Sequence, residues 1–447
     1  MLKRLNEFSV RLAGRVICDG VLTRLAAVCL SPTRRLGKPP QDGILPHYAF
    51  LITTAFVIPA LGQSTGHFKI SADHLPAPNA TVPMELDPQF VPRPEGFLPT
   101  VPAGFSVSIF AAAPELGRAR WMAVAPNGDI FLTEIGSDRI AVLRDLDGDG
   151  KADMATTFVK GFLQPHGMAF HNGFLYVADL RAIWRLPYRD GDTAAAGKPE
   201  RVTTAPDLRP IGWHYTREIA FDSKGALYLT IGARKDLEDD DPPPDATVQL
   251  VAGDGSMSTF ASGLRNVVGL AVQPRAGGLW GTVNERDMLG ARLPPDFLAH
   301  IGQGDFFGWP YAYAGRHPDP TFGPKRPDLV AKSKTPEVLF EAHSAPLGVV
   351  FYDKEQFPAE YRGDALVTLH GSGPYDKPDG YKVVRVRFNK GKPTGGYEDF
   401  MTGFFARGNP VPKVWGTPAG IAVAKDGSLL VSDDKARVIW RVRYKKK

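Results

Sequence analysis

One strand-like phrase recurs six times after residue 100, and this repeat constrains the fold more than any other feature of the chain. The six copies are WMAVAP (121–126), HGMAF (166–170), REIAFD (217–222), VGLAVQP (268–274), LGVVFY (347–352) and AGIAVAK (419–425). A turn and a second apolar stretch follow each copy, as in NGDIFLTE and KGALYLTI, and often a third stretch, as in RVIWRVRY. Strand, turn and strand repeated in this way is typical of the blades of a β-propeller.

Six copies predict an all-β, six-bladed propeller with four-stranded antiparallel blades over residues 101–447. The 47 glycines and 40 prolines agree with many turns and short strands. Blades four and five have longer intervals and are expected to carry insertions, and no long amphipathic helical segment competes. A β-sandwich with coincidental turns is the alternative. The proline-rich residues 63–100 are interpreted as a linker or extended arm.

The N-terminal 62 residues have the composition of a leader. They carry eight basic and three acidic residues, which accounts for the whole net charge of +5. The apolar run YAFLITTAFVIPALG (48–62) has the length of a signal-peptide core and is short for a membrane span. We therefore predict an N-terminal extension plus signal peptide (about 44–62) and a periplasmic or secreted body. Membrane attachment is expected only if the leader is an uncleaved anchor, and no nucleic-acid surface is expected.

Both cysteines, Cys18 and Cys29, lie in the leader. The body therefore has no disulfides, no thiolate zinc site, no cysteine nucleophile and no covalent haem attachment.

The residues just before each inner strand are expected at the mouth of the central channel, where propellers place their sites. They are Gln164 and His166 in blade two, Trp213, His214 and Arg217 in blade three, Arg265 and Asn266 in blade four, His343 and Ser344 in blade five, and Trp415 to Pro418 in blade six. Three histidines, two arginines and an asparagine in one ring indicate a chemical site.

His214 is the candidate general base, because a neutral imidazole is suited to taking a hydroxyl proton. The alternative is a structural histidine that bonds a neighbouring loop. Arg265 and Asn266 are suited to holding a carboxylate or a developing oxyanion, and an inter-blade salt bridge is the alternative for Arg265. His166 and His343 either contact a bound group or support those that do.

The segment DLDGDGKAD (145–153) imitates a calcium loop. Asp145, Asp147, Asp149 and Gly150 fit the first half of such a loop and Asp153 fits its ninth position, but Thr156 stands where a bidentate glutamate is needed. We interpret it as a structural turn, able to bind calcium, and remote from the mouth.

Several phrases resemble the glucose/sorbosone dehydrogenase family, in order from about residue 100 to the C-terminus: HYTREIAF, GLRN with GLAVQP, VNERD, GWPYAY, APLG, LHGS, YKVVRV and VAKDGSLLVSDD. Members of that family are six-bladed quinoproteins that use pyrroloquinoline quinone (PQQ) and calcium. The resemblance implies oxidation of an aldose, a sorbosone-like compound or another sugar-derived substrate, with hydride transfer to the quinone.

The resemblance also implies roles for individual residues. His214 would be the base, and Arg265 with Asn266 would stabilise the reduced quinone. Further cofactor contacts are expected from Gln164, His166, Arg217 and His343. Calcium would be held by main-chain oxygens in the loop NERD, which points to Glu285 and Arg286, with Asp287 close by.

Two departures from the family pattern each remove an arginine. Tyr375 stands in the stretch after Ser372 where relatives have Trp-Asn-Arg, and Thr417 stands where relatives have the arginine of WGRP. PQQ is a tricarboxylate and needs cations. Arg217, Lys377, Arg407 and Lys413 are candidates to replace them.

Three functions follow as hypotheses. The first is a PQQ-dependent dehydrogenase that passes electrons to a separate acceptor, a quinone or a cytochrome. The second is a calcium-dependent propeller hydrolase of the lactonase kind, which would need several inward carboxylates. The third is a propeller that has lost PQQ and binds a carbohydrate or a protein.

Overall fold

The computed structural model describes residues 66–81, 88–205, 208, 214–238, 243–274, 276–372, 380–406 and 413–445. The predicted leader, the signal peptide and the candidate residues Trp213, Tyr375, Lys377 and Arg407 lie outside the described residues. No helix in the described ranges is long and apolar enough to cross a membrane.

Six antiparallel sheets form the blades of a propeller in the described chain, and each predicted phrase supplies an innermost strand. From the inside outward, blade one consists of Arg118–Val124, Ile130–Ile135, Arg139–Arg144 and Met154–Lys160. Blade two consists of Met168–His171, Phe174–Ala178, Ile183–Pro187 and Glu200–Arg201. Blade three consists of Ile219–Phe221, Leu227–Ile231, Thr247–Val251 and Met257–Ser262.

The remaining blades follow the same order. Blade four consists of Val267–Val272, Leu279–Val283, Pro295–Ile301 and Val338–Ala342. Blade five consists of Pro346–Phe351, Ala365–Leu369, Lys382–Val386 and Tyr397–Met401. Blade six consists of Pro418–Val423, Leu429–Asp433, Val438–Tyr444 and, from the N-terminal side of the chain, Phe105–Ala112. Each inner strand contacts the inner strands of the two neighbouring blades, so the ring is closed and the six-bladed prediction is confirmed.

The predicted insertions are present in blades four and five. Blade four carries a hairpin (Ala312–Tyr313 with His317–Pro318), a 3₁₀ turn (Gly323–Lys325) and a short α-helix (Pro327–Lys332). Blade five carries a 3₁₀ turn (Ala359–Tyr361) and a hairpin (Phe388–Asn389 with Lys392–Pro393).

The segment before blade one lies against the propeller. His67–Phe68 extends blade five by pairing with the strand Tyr397–Met401, and a 3₁₀ turn follows at Ala72–His74. Gln89–Phe90 runs parallel to Lys413–Val414, which also pairs with Phe405–Ala406.

Among the described residues, six apolar clusters lie between the blades, one between each pair of adjacent blades. Alternation along the strands explains this division, because successive side chains of a strand point to opposite faces. In blade one, Leu132 packs toward blade six, whereas its neighbour Phe131 packs toward blade two with Leu175 and Val177. Each blade is therefore buried on both faces, which accounts for its nearly continuous apolar strands.

One hydrogen bond between the first and second strands repeats at the centre of the propeller. In five blades a threonine or serine of the second strand accepts a hydrogen bond from a main-chain N–H of the inner strand. The inner-strand residue is Trp121, Glu218, Gly269, Gly348 or Gly420, in blades one, three, four, five and six. A Cβ on Gly420 would lie 2.5 Å from the oxygen of Arg120, so glycine permits the close approach of two blades there.

In each blade, the residue that precedes this inner-strand position lines one level of the central channel. It is Arg120, His166 and Arg217 in blades one to three, and Val268, Leu347 and Ala419 in blades four to six. The last three form an apolar cluster with Trp121. The channel is therefore polar on the side of blades one to three and apolar on the other side.

Candidate functional site

His214 lies directly before the inner strand of blade three, as predicted. Its Nδ1 is 2.7 Å from the main-chain oxygen of Ala233, so Nδ1 carries the proton and Nε2 is the basic nitrogen. Burial first, and then the nearby charge of Arg265, lowers the pKa of His214 to about 3. The imidazole is therefore neutral at physiological pH, with Nε2 unprotonated.

Asn266 stands beside the base, and Gly232 makes room for both. A Cβ on Gly232 would lie 2.6 Å from Cβ of His214 and 2.8 Å from Oδ1 of Asn266. Oδ1 of Asn266 is buried and has no hydrogen-bond partner among the described residues. An unpartnered, buried acceptor next to a basic imidazole indicates a binding site for another molecule.

Arg265 is buried next to the base, but most of its donors are engaged by the chain. Nη1 donates to the main-chain oxygen of Glu285 at 2.7 Å, and Nη2 forms an ion pair with Asp236. The guanidinium also lies 5.6 Å from the ring of Trp309. Arg265 thus forms the salt bridge that was the alternative to a role in binding. Its charge also lowers the pKa of His214.

Arg217 supports the base from behind. Its guanidinium donates to the main-chain oxygens of His214 (2.9 Å), Thr216 (2.7 Å) and Leu208 (3.0 Å). Burial lowers the pKa of Arg217 to about 10, so the side chain stays charged. These contacts fix the segment that carries His214, and contact between Arg217 and a cofactor stays a prediction.

The loop NERD places Glu285 and Arg286 in the interior. The main-chain oxygen of Glu285 accepts from Arg265, and Arg286 forms an ion pair with the buried Asp319. Burial raises the pKa of Glu285 to about 7, and Asp296, which accepts from its main-chain N–H at 2.8 Å, also has its pKa raised by burial, to about 6. The predicted calcium ligands are thus close together, but one of the two expected carbonyls faces a guanidinium.

His343 contacts the C-terminal end of the NERD loop. Its Nδ1 lies 3.0 Å from Oδ1 of Asp287, and its Nε2 lies 3.1 Å from the main-chain oxygen of Gly290. Burial lowers the pKa of His343, but the hydrogen bonds to Asp287 and Gly290 outweigh it and hold the pKa above its ordinary value. Both ring nitrogens are thus occupied, so His343 fixes Asp287 and adds positive charge rather than offering a free nitrogen.

The two candidates of blade two lie at different depths. Gln164 is exposed on the loop before the inner strand, has a φ of +51°, and donates its main-chain N–H to Asp138. His166 is buried in the channel, with its ring 4.3 Å from that of Trp121. Cofactor contact by either residue stays a prediction.

Thr417 is fully buried and is bound to two neighbouring carboxylates. Its N–H donates to Asp433, and its Oγ1 donates to Asp434 at 2.6 Å. Asp434 also faces Arg120 at 2.9 Å and His370 at 3.3 Å. Blade one thus supplies a guanidinium next to the position where the family resemblance leads one to expect an arginine.

Sequence reasoning missed Arg120, Glu218 and Asp434. Arg120 and Glu218 adjoin or belong to the repeated phrases, and aligning those phrases by the inner-strand hydrogen bond would have exposed both. Asp434 follows the second strand of blade six, and its role depends on a contact with blade one that local pattern does not show.

Buried polar atoms without a partner concentrate at this site. Among the described residues they include atoms of Asn266, Asn284 and Glu285 at the mouth, and of His166 and Glu218 deeper in the channel. Since an unsatisfied buried polar group costs about 1–3 kcal/mol, such a concentration indicates a binding site.

The acidic loop is a turn bonded by its own main chain. Carboxylate oxygens of Asp145, Asp147 and Asp149 lie within 4.8 Å of one another. Asp145 accepts from the N–H groups of Gly148 and Gly150, and Asp153 accepts from Leu146 at 2.6 Å. Calcium binding there stays a prediction.

Clefts elsewhere on the described surface have paired charges. One of about 230 Å³ lies beside the arm strand and blade five, where Arg387 pairs with Glu398. Another of about 320 Å³ lies between blades six and one, where Arg441 pairs with Asp426. Neither combines a free base with an unpartnered acceptor, as the channel mouth does.

Comparison with known proteins gives a family and the same propeller fold. The TrAA12-like family model matches residues 99–295 and 328–445, and the glucose/sorbosone dehydrogenase model matches residues 237–373. An uncharacterized protein of Borreliella burgdorferi is 27% identical over 360 residues, covering 77% of this chain and 91% of that protein.

Two solved structures share the propeller. The Trichoderma reesei enzyme of the Carbohydrate-Active Enzymes family AA12 has a TM-score of 0.66 and 18% identity, covering 77% of this chain and 97% of that one. The PQQ domain of Coprinopsis cinerea pyranose dehydrogenase, in its holo form, has a TM-score of 0.64 and 19% identity, covering 79% and 98%.

The described chain thus forms a six-bladed β-propeller, and the TrAA12-like model is the broader of the two family matches. Since the family model spans more than two thirds of its length, the chain belongs to the TrAA12-like family.

Proposed function

We propose that this protein is a PQQ-dependent dehydrogenase that oxidises an aldose or another sugar-derived hydroxy compound, with His214 as the base. The observation that carries the proposal is the neutral imidazole of His214, fixed through Nδ1 and flanked by Arg265 and the unpartnered oxygen of Asn266. The family of the chain and the pyranose dehydrogenase among its structural relatives support a sugar substrate and a quinone cofactor.

The residues at the mouth fit a polyanionic cofactor. Arg265, His343 with its raised pKa, and Arg120 are buried positive or readily charged groups around the channel. Each already faces a carboxylate, of Asp236, Asp287 and Asp434 respectively, so the carboxylates of PQQ would compete with these pairs. Asn266 and Asn284 each offer a buried oxygen without a partner. These residues would hold PQQ, whose chemistry is to accept two electrons from the substrate carbon.

The residues of the chain itself would manage the substrate proton. Nε2 of His214 would accept the hydroxyl proton, since Nδ1 is committed to Ala233. Arg265 disfavours a positive imidazole and favours negative charge on an oxygen beside it, so it keeps the base neutral and stabilises the alkoxide. Arg217 would keep His214 in place through its main-chain oxygen.

We also propose that calcium binds at the NERD loop, on the condition that Arg265 moves. Binding through the main-chain oxygen of Glu285 requires Nη1 of Arg265 to turn away, because the guanidinium and the cation would compete for that oxygen. Asp287 is held by His343 at the edge of the same loop and would provide a carboxylate.

Export and electron transfer to a separate quinone or cytochrome complete the proposal. The hydrolase alternative receives less support, because the described residues cluster three metal-binding carboxylates at Asp145, Asp147 and Asp149 and not at the mouth.

The test is reduction of an artificial dye by the purified protein with PQQ, Ca²⁺ and a panel of aldoses, with cofactor binding followed separately by tryptophan fluorescence. We expect micromolar PQQ affinity and turnover that falls at least about 100-fold in His214→Ala, with unchanged PQQ affinity. Failure to bind PQQ would overturn the dehydrogenase proposal. Unchanged turnover in His214→Ala would overturn only the base.

A further inference from the structure

Two ionisable side chains that the proposed mechanism does not use meet inside the channel. His166 is 1% exposed and Glu218 is 4% exposed, and Nδ1 of His166 lies 3.3 Å from Oε2 of Glu218. They come from the neighbouring blades two and three. A hydrogen bond of 2.9 Å from the N–H of Gly167 to the oxygen of Arg217 joins the two strands at this level.

The surroundings of the pair are asymmetric in charge. Arg120 and Arg217 are the charged groups that act on His166, and Trp121 stacks on its ring and donates a hydrogen bond to Glu218. Arg120 is itself paired with Asp434. The far side of the channel consists of Val268, Leu347 and Ala419.

This environment disfavours charge on either member of the pair. Burial, followed by the positive charges of Arg120 and Arg217, holds the pKa of His166 well below its ordinary value. Burial raises the pKa of Glu218 well above its ordinary value. An imidazolium facing a carboxylate would place two charges in a site that already contains two guanidinium groups.

The unpartnered atoms indicate where the proton is. Among the described residues, both ring nitrogens of His166 and Oε2 of Glu218 lack a conventional hydrogen bond, although Nδ1 and Oε2 face each other. A proton on Oε2 that is donated to Nδ1 satisfies both atoms at once, whereas a carboxylate facing an unprotonated Nδ1 would leave both unsatisfied.

We propose that Glu218 is a neutral carboxylic acid whose Oε2–H donates to Nδ1 of His166, and that this pair stores one proton inside the channel.

Infrared spectroscopy of the protein without PQQ or substrate tests the pair itself. At pH 9 we expect a carboxylic-acid C=O band that Glu218→Gln removes and that His166→Phe shifts to higher frequency, as its hydrogen bond is lost. The matched control is Asp433→Asn. Asp433 is another fully buried acid, in blade six, and burial raises its pKa to about 7, so its band is lost by pH 9 in every variant.

A spectrum at pH 9 without a band that depends on Glu218 would overturn the proposal. If Glu218→Gln does not fold, nitrogen NMR of His166 in the wild-type protein decides the question. The proposal requires an imidazole protonated on Nε2 only, and an imidazolium with both nitrogens protonated would overturn it.

Discussion

Nη1 of Arg120 lies 2.9 Å from Oδ2 of Asp434, in a buried ion pair that joins the first blade to the sixth. Thr417 and His370 bind the other oxygen of the same carboxylate. The ring is therefore closed twice, once at the outer edge where Phe105–Ala112 pairs with Val438–Tyr444, and once at the channel. The inner closure also places a guanidinium where the site needs positive charge.

Replacing Asp434 should cost much of the stability of the protein. Asp434→Asn leaves the buried Arg120 without its counter-charge, and removal of one partner of a buried pair costs about 3–5 kcal/mol. We expect a loss of about 3 kcal/mol in the free energy of unfolding, measured with urea. Asp328→Asn, which breaks an exposed pair with Arg326, should leave the unfolding curve unchanged. Equal stability of Asp434→Asn and the wild-type protein would contradict this account of the closure.

Gly232→Ala should damage the site without unfolding the protein. The added methyl group would collide with Cβ of His214 and Oδ1 of Asn266, so the base must move by several tenths of an ångström. We expect turnover to fall at least about tenfold, in line with the sensitivity of catalysis to misplacement of about 1 Å. Gly253→Ala is the control, since a Cβ there meets no atom within 4 Å, and it should keep full activity. Full activity of Gly232→Ala would show that the base is not fixed by this contact.

The lowered pKa of His214 should appear in the pH dependence of stability. Its pKa is about 3 in the folded protein and about 6.5 in an unfolded chain, so the unfolded state binds more protons between these values. The contribution is fully present above pH 6.5 and is lost as the pH falls toward 3. Relative to His214→Asn, the wild-type protein should lose on the order of 1–3 kcal/mol between pH 7 and pH 4. Urea unfolding at several pH values measures this, and parallel curves for the two proteins would contradict the buried, neutral assignment.

The strands near the channel were predictable because their signal is local. In five of the six blades the inner strand, its turn and the second strand lie within about 18 residues, and alternation with a glycine turn specifies them. The outer strands carry a weaker signal. Glu200–Arg201 is only two residues long, and Phe105–Ala112 pairs with a strand more than 300 residues away. An insertion with its own hairpin and helix precedes Val338–Ala342.

The candidate site was predictable by position but not by contact. The phrases place His214, Arg265 and Asn266 just before inner strands, which the structure shows. They do not show that Arg265 is turned to the oxygen of Glu285, or that both nitrogens of His343 are occupied. Those outcomes depend on contacts between loops of blade four that are 20 and 53 residues apart, and no local sequence pattern marks such contacts.

The His166–Glu218 pair should show strong coupling in a double-mutant cycle. Glu218→Leu leaves Nδ1 of His166 buried without a partner, and His166→Phe leaves the acid in the same condition, so each should cost about 1–3 kcal/mol. The double variant replaces a buried polar pair with apolar side chains, which is often neutral. We therefore expect its cost, measured by urea unfolding, to be at least about 1 kcal/mol less than the sum of the two single costs. His166→Phe combined with Asp328→Asn, on the exposed blade-four insertion, is the control and should be additive. Additivity in the His166–Glu218 cycle would mean that the two side chains share no proton, whereas coupling there and not in the control assigns the interaction to the pair.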